Sequence, residues 1–97
     1  MSNMFFGLYN AVKLDVSKLN TKNVTDMSRM FSCCERLKQL NVSKFDTSKC
    51  ENMCEMFSNC NNLEDLNLSK FNTKNVISLN GFLCGCSNLK KNRCIKL

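Results

Sequence analysis

A short alternation of apolar and polar residues returns along this chain at a fixed interval. Leu40 and Val42 are separated by Asn41 and followed by Ser43, a spacing of two that is typical of a β-strand with one buried face. The same pattern stands 26 residues earlier and 26 residues later. A fixed period between about 20 and 50 residues indicates stacked structural repeats. The three matching stretches are residues 14–21 (LDVSKLNT), 40–47 (LNVSKFDT) and 66–73 (LNLSKFNT).

Aligned at this period, nearly the whole chain divides into repeats, and we call a set of positions 26 residues apart a column. Equivalent side chains lie on one another when repeats stack, so the columns that stay apolar predict the core. A length of 97 residues suits one domain. We therefore predict a single domain, 1–97, made of a partial repeat 1–13, full repeats 14–39, 40–65 and 66–91, and a terminal stub 92–97.

The spacing of apolar residues changes within each repeat. After the strand-like alternation, apolar residues fall at positions 24, 27, 30 and 31, which is typical of one face of a helix. A threonine stands before each such run, where a hydroxyl caps the first backbone N–H groups of a helix. Each repeat is thus predicted to form a strand, a turn and a helix. The three capping threonines are Thr21, Thr47 and Thr73.

These motifs resemble the BspA-type leucine-rich repeats, whose units read like LDLSxFDTSxVTxMxxMFxxCxxLxx. Residues 40–49 read LNVSKFDTSK, and residues 53–63 carry the Met, Met-Phe, Cys and Leu positions that follow. The resemblance covers almost the whole chain. It implies an α/β leucine-rich-repeat solenoid of about three and a half 26-residue coils, with short parallel strands on one face and helices on the other. It also implies adhesion or protein binding without catalysis, as in repeat proteins of bacteria, mycoplasmas, protists and giant viruses.

Charge and apolar content limit the class of protein. The formal net charge is +6, which favours acidic partners without naming one. No apolar run approaches the ~20 residues of a membrane-spanning helix, and the first residues lack the charged and apolar regions of a signal peptide. From this we expect a cytoplasmic protein, or one held inside a larger particle or assembly.

Three of the eight cysteines form one column, Cys34, Cys60 and Cys86. We expect stacked, buried free thiols, because free Cys is among the most buried residue types. Side chains in a parallel ladder point the same way, which disfavours disulfides between neighbouring repeats. The chain has no His, and no cysteine pair has a matching partner pair at the spacing of a zinc site. We therefore predict neither a metal nor a cofactor.

Two sets of polar columns are candidate binding sites. The exposed positions in and beside the strands are expected on the sheet surface, where stacked repeats bind partners; simple solvation explains them equally well. A lysine column after each strand forms a basic stripe that suits an anionic partner, although lysines that keep a turn solvated are the favoured explanation. The strand-face residues are Asp15, Asn41, Asn67, Ser17, Ser43, Ser69, Gln39 and Asp65, and the basic stripe is Lys18, Lys44, Lys70 and Lys96.

No catalytic residue set is visible, since the chain lacks His and has no Gly-rich phosphate loop. We predict a non-catalytic protein–protein interaction or scaffold module that is a component of a larger assembly, with no small-molecule substrate. The alternatives are a cell-surface adhesion fragment and a weak anion- or nucleic-acid-associated protein that uses the lysine stripe. Apolar ends predict a protein partner or self-association. The end residues in core columns are Met1, Met4, Phe5 and Leu8, with Leu97 at the other end.

Overall fold

Three short parallel strands form the sheet of this protein. The computed structural model describes residues 1–89 and 91–93, the last three through their backbone alone. Each strand comes from the same place in a different repeat, and neighbouring strands pair in sequence order. The strands are β1 (Gln39–Leu40), β2 (Asp65–Asn67) and β3 (Lys91–Arg93).

The register of the sheet joins residues that belong to one column. Leu40 lies opposite Leu66, and Leu66 lies opposite Asn92. Leu40 and Leu66 are only 5% and 2% exposed, whereas Asn41 and Asn67 beside them are exposed. The predicted alternation is therefore confirmed at these strands, because it places one leucine of each repeat in the core and an asparagine at the surface.

Between the strands, each repeat passes through a series of tight turns that we call a turn segment. In the first full repeat, every other N–H group from Met27 to Cys33 donates to a carbonyl oxygen of the next repeat, at 2.8 to 2.9 Å. The N–H groups of Met30 and Ser32 instead close local turns by donating to the carbonyl three residues back. Backbone hydrogen bonds of both kinds recur along the chain. The four turn segments are residues 1–8, 27–34, 53–60 and 79–86.

Two columns in the turn segments have a left-handed backbone in every repeat. Arg29 and Cys33 have φ values of 55° and 63°, and each is the third residue of a four-residue turn, where a type II turn requires positive φ. A residue other than glycine adopts this conformation at a cost of about 1–2 kcal/mol, so the pairing on both sides must hold it in place. The two columns are Asn3, Arg29, Glu55 and Gly81, and Gly7, Cys33, Asn59 and Gly85.

The expected α/β leucine-rich-repeat solenoid with helices on one face is wrong, because none of the described residues forms a helix. The spacing of Met27, Met30 and Phe31 fits a helix face, but consecutive four-residue turns bury the same three side chains. A left-handed residue at Arg29 prevents a right-handed helix from continuing. It follows that the described part of the chain holds no helix able to cross a membrane.

The threonines expected to cap helices bond instead to the next repeat. Thr21 is 2% exposed, and its hydroxyl accepts the Asp46 N–H at 2.8 Å and donates to the Asp46 carbonyl at 3.2 Å. Thr47 makes the same pair of bonds one repeat further along. The capping prediction is wrong because no helix follows these residues. Their hydroxyls instead satisfy a backbone N–H and C=O across the stack.

The core consists of stacked apolar columns. Met27, Met53, Phe31 and Phe57 are fully buried. Phe31 stacks on both Phe5 and Phe57, with ring centroids 5.5 Å apart on each side. Such aromatic pairs contribute about 0.5–1.5 kcal/mol beyond the burial of their area. The apolar columns predicted from the sequence are therefore confirmed as core in the inner repeats.

Candidate functional site

An open groove runs along the strand side of three consecutive repeats. Its volume is about 730 Å³. Leu40 and Val42, which are only 5% and 2% exposed, line it together with Leu14. The other lining residues are polar, so the groove presents hydrogen-bonding groups beside an apolar surface. These polar residues are Lys13, Asp15, Gln39, Asn41, Ser43, Asp65 and Asn67.

In three consecutive repeats, a side-chain oxygen of one column accepts the backbone N–H two residues further on. Asp15 Oδ1 accepts the Ser17 N–H at 3.0 Å and the Ser17 hydroxyl at 2.7 Å. Asn and Asp readily form this Asx turn because their short side chains reach the following N–H. One column therefore shapes the groove in three repeats. The equivalent bonds are Asn41 Oδ1 with the Ser43 N–H at 2.9 Å and Asn67 Oδ1 with the Ser69 N–H at 3.0 Å.

The groove is more acidic than the protein as a whole. Its lining contains two carboxylates, from Asp15 and Asp65, and one ammonium group, from Lys13, whereas the chain carries a net charge of +6. Hydrogen bonds from the Ser17 hydroxyl and N–H lower the pKa of Asp15 below its ordinary value of 3.8, so this carboxylate is charged at neutral pH. The lining side chains can therefore accept a cationic group.

The structure gathers most of the predicted strand-face residues in this groove and leaves two of them out. Ser17 and Ser69 belong to the column of Ser43 and are exposed, but they do not line the groove. The difference arises because the lining is centred on the middle repeat. The predicted residues that do line the groove are Asp15, Gln39, Asn41, Ser43, Asp65 and Asn67.

Sequence reasoning missed Lys13 and the apolar part of the lining. Lys13 belongs to the same column as Gln39 and Asp65, so the 26-residue alignment carried the signal that identifies it. The sequence pattern predicts Leu40 and Val42 as core residues alone. They are buried, as expected, but their edges also reach the groove.

The lysines of the basic stripe lie on the surface, one in each repeat. Lys18, Lys44 and Lys70 are exposed, and each directly follows the serine of the strand-face column. Among residues 1–89 and 91–93, Arg29 and Glu55 form an ion pair at 3.1 Å, and no ion pair involves Lys18, Lys44 or Lys70. Lys96 lies outside the described residues.

The cysteine column is buried in the inner repeats, as expected for stacked free thiols. Cys34 and Cys60 are fully buried, and Cys86 is half-buried. Burial raises the pKa of the Cys60 thiol to about 12, so it stays protonated. The part of the chain that the structure describes contains no cluster of three or more side chains suited to a metal ion. Each thiol instead bonds to a backbone carbonyl: Cys34 to Phe5 at 3.3 Å, Cys60 to Phe31 at 3.1 Å and Cys86 to Phe57 at 3.1 Å.

The amino-acid sequence matches a known family model. That family is described as "Mycoplasma protein of unknown function, DUF285", and the match spans residues 1–95, which is nearly all of the 97 residues. No curated protein matches the chain, and no solved structure matches it either. The chain therefore belongs to the mycoplasma protein family DUF285.

Proposed function

We propose that this chain is a non-catalytic protein-binding module, a component of a larger assembly, which holds a segment of its partner in the strand-side groove. The observation that carries the proposal is the convergence of polar side chains from three repeats on one open groove of about 730 Å³. Membership of the BspA-type repeats is part of the same proposal. The motif of residues 40–49 supports it, and protein binding is what that resemblance implies.

An extended segment with polar or basic side chains fits the groove best. Asp15 and Asp65 supply negative charge, which attracts a lysine or arginine of the partner. The side-chain oxygens of Asn41 and Asn67 already accept backbone N–H groups, so these amides are held in place and offer their NH₂ groups as donors. Held side chains lose little freedom on binding, which favours affinity.

A selection from a displayed library of random peptides tests this proposal. The bait is the whole chain, and binders are then measured against two variants, Ser43→Arg and Ser69→Arg. Both serines are exposed, belong to one column and follow an asparagine that caps their N–H, but only Ser43 lines the groove. The two variants therefore differ in the groove and match elsewhere.

Peptides enriched in lysine and arginine are expected, and Ser43→Arg should weaken their binding by about tenfold or more while Ser69→Arg leaves it unchanged. Binding should also weaken as salt rises, since the attraction is between exposed charges. Binders that are equally sensitive to both variants, or to neither, would show that the groove is not the binding site.

The lysine stripe supports a second candidate, binding of an anionic polymer such as nucleic acid. Lys18, Lys44 and Lys70 are exposed and follow one another repeat by repeat. Binding to a single-stranded oligonucleotide should then fall steeply with salt, and Lys44→Glu should reduce it more than Lys38→Glu, which changes an exposed lysine outside the stripe. Equal effects of the two variants would mean that the oligonucleotide is attracted by the overall positive charge and not by the lysine stripe. The adhesion alternative rests on the resemblance alone.

A further inference from the structure

The end repeats expose side chains that the inner repeats bury. Met4 is 49% exposed, whereas Met30 and Met56 of the same column are fully buried. At the other end, Leu83 is half-buried, although Phe31 and Phe57 of its column are fully buried. Each end of the stack therefore carries an apolar surface. In the inner repeats, the neighbouring repeat covers the equivalent surface.

The same two faces carry backbone groups that lack hydrogen bonds within the described residues. In the last turn segment, the N–H groups of Gly81, Leu83 and Gly85 have no acceptor among residues 1–89 and 91–93, although the equivalent N–H groups of the three earlier segments all bond to the following repeat. In the first segment, the carbonyls of Ser2, Met4 and Phe6 accept nothing, although the equivalent carbonyls of later segments all do. Within the turn segments, one face presents donors and the other presents acceptors.

The register of the donors matches the register of the acceptors. Every bond between turn segments runs from an N–H to the carbonyl 25 positions further on, as from Arg29 to Cys54. Suppose that a second chain continues the stack, and that its residue 1 takes the position four repeat periods after residue 1 of the first chain. Three donors of the first chain then meet three acceptors of the second. The pairs are Gly81 with Ser2, Leu83 with Met4 and Gly85 with Phe6 of the next copy.

We propose that copies of this 97-residue chain stack head to tail, the donor face of one copy on the acceptor face of the next. Two like faces cannot pair, because N–H would oppose N–H or C=O would oppose C=O. The contact joins different surfaces of the two copies and does not close on itself, so it generates open-ended chains rather than a symmetric dimer. Apolar side chains of the same columns cover one another at the joint: Met1 meets Leu79, Met4 meets Phe82 and Phe5 meets Leu83.

Analytical ultracentrifugation of the 97-residue chain over a range of concentrations, with reducing agent present, tests the proposal. The expected result is a series of oligomers that lengthens with concentration and does not stop at two. A monomer at every concentration, or a dimer that adds no third copy, would overturn it.

Two variants each block one face. Leu83→Pro removes an outward N–H that makes no hydrogen bond within the described part of the chain, and its ring occupies the place of the incoming carbonyl. Met4→Glu puts a charge on the apolar acceptor face, where it would be buried. Each variant should weaken self-association by roughly tenfold or more. Ile77→Glu is the control: Ile77 is 86% exposed. Its column mates Thr25 and Glu51 are exposed in the inner repeats too, so stacking does not cover this side chain and association should not change.

Mixing the two blocked variants makes the test independent of whether either variant is merely less stable. Leu83→Pro keeps the acceptor face, and Met4→Glu keeps the donor face. An equimolar mixture should therefore form a one-to-one complex that grows no further. Circular dichroism of each variant alone establishes that it is folded. Folded variants that fail to form this complex would overturn the proposal.

Discussion

The Thr47 hydroxyl holds both backbone groups of Asn72, accepting its N–H at 2.8 Å and donating to its carbonyl at 3.1 Å. Thr47 is only 1% exposed, so water cannot readily replace either bond. A single side chain thus ties two neighbouring repeats together at a point where the backbone itself forms no strand.

Replacing this hydroxyl should destabilise the protein. Thr47→Val keeps the shape of the side chain but leaves the N–H and carbonyl of Asn72 without their partner, which is expected to lower the free energy of unfolding by about 2–3 kcal/mol. Thr47→Ser retains the hydroxyl and should cost less than half as much. Urea unfolding followed by circular dichroism measures both. Equal losses for the two variants would mean that the methyl group, and not the hydroxyl, matters here.

The left-handed columns predict unequal costs for the same substitution at two glycines. A Cβ at Gly85 would lie 2.5 Å from Asn59 Oδ1 and 3.2 Å from Asn59 Cα, in a backbone with φ of 82°. A Cβ at Gly7, with φ of 72°, meets only the Tyr9 ring at 3.6 Å. Gly85→Ala should therefore lower the free energy of unfolding by about 2–4 kcal/mol and Gly7→Ala by about 1 kcal/mol.

Thermal unfolding of dilute protein ranks these two glycine variants. The Gly7 column already contains Cys33 and Asn59 with positive φ, so a side chain as such is tolerated at this position. A Gly7→Ala variant as unstable as Gly85→Ala would show that contact with the neighbouring repeat is not the deciding factor.

Acid should destabilise the protein through three capping aspartates. Hydrogen bonds from the following serine lower the pKa of Asp15, Asp26 and Asp46 below the ordinary value of 3.8. A carboxylate whose pKa is lowered by folding stabilises the folded state above about pH 4, and this contribution is lost as pH falls through the folded-state pKa. Stability is therefore expected to decline below about pH 4.

Asparagine separates the charge of these caps from their geometry. Asn41, Asn52 and Asn72 occupy the columns of Asp15, Asp26 and Asp46, and each forms the same turn. The triple variant Asp15→Asn, Asp26→Asn, Asp46→Asn should therefore remain stable at pH 7 and show a shallower decline in acid. Asp46→Ala, which loses the cap, should be less stable at every pH. An unchanged dependence of stability on acid pH in the triple variant would contradict the assignment of the acid loss to these three aspartates.

The thiols should react in the order of their exposure and pKa. Cys84 is exposed, whereas Cys60 is fully buried and has a pKa raised to about 12 by that burial. Alkylation with iodoacetamide at pH 8, followed by peptide mass mapping, should label Cys84 first and Cys60 last, because the thiolate is the reactive form. Fast labelling of Cys60 in folded protein would show that the column opens.

Raising the pKa of Cys60 also makes stability depend on pH at the alkaline end. The folded state favours the protonated thiol. The contribution of Cys60 to stability is therefore complete below the unfolded-state pKa of 9.0 and is lost as pH rises towards the folded-state pKa of about 12. A Cys60→Ala variant should lack this part of the alkaline loss.

The sequence predicts the columns of this protein but not the conformation that joins them. Leu40, Leu66, Phe31 and Phe57 are buried as the alignment indicates, because apolar identity at a fixed period is visible in the chain itself. The helix prediction is wrong because the spacing of apolar residues indicates which side chains face inward but not the sign of φ.

A signal for the left-handed turns was nevertheless present. The chain has three glycines, Gly7, Gly81 and Gly85, and all three fall in the two columns with positive φ. Arg29 and Glu55 occupy the same backbone conformation without being glycine, and this hid the pattern. The groove shows the same limit: the column alignment finds Lys13, but only the packed chain reveals that Ser43 lines the groove and Ser69 does not.

The backbone pairing between turn segments restricts how such a gene can change in length. Each N–H that bonds to the next turn segment finds its acceptor 25 positions on. A single inserted codon within a turn segment would therefore set donors against donors through the rest of that segment. Duplication of one whole unit leaves every existing pair intact and adds another of the same kind. Lineages should therefore differ by complete units rather than by scattered insertions in these segments.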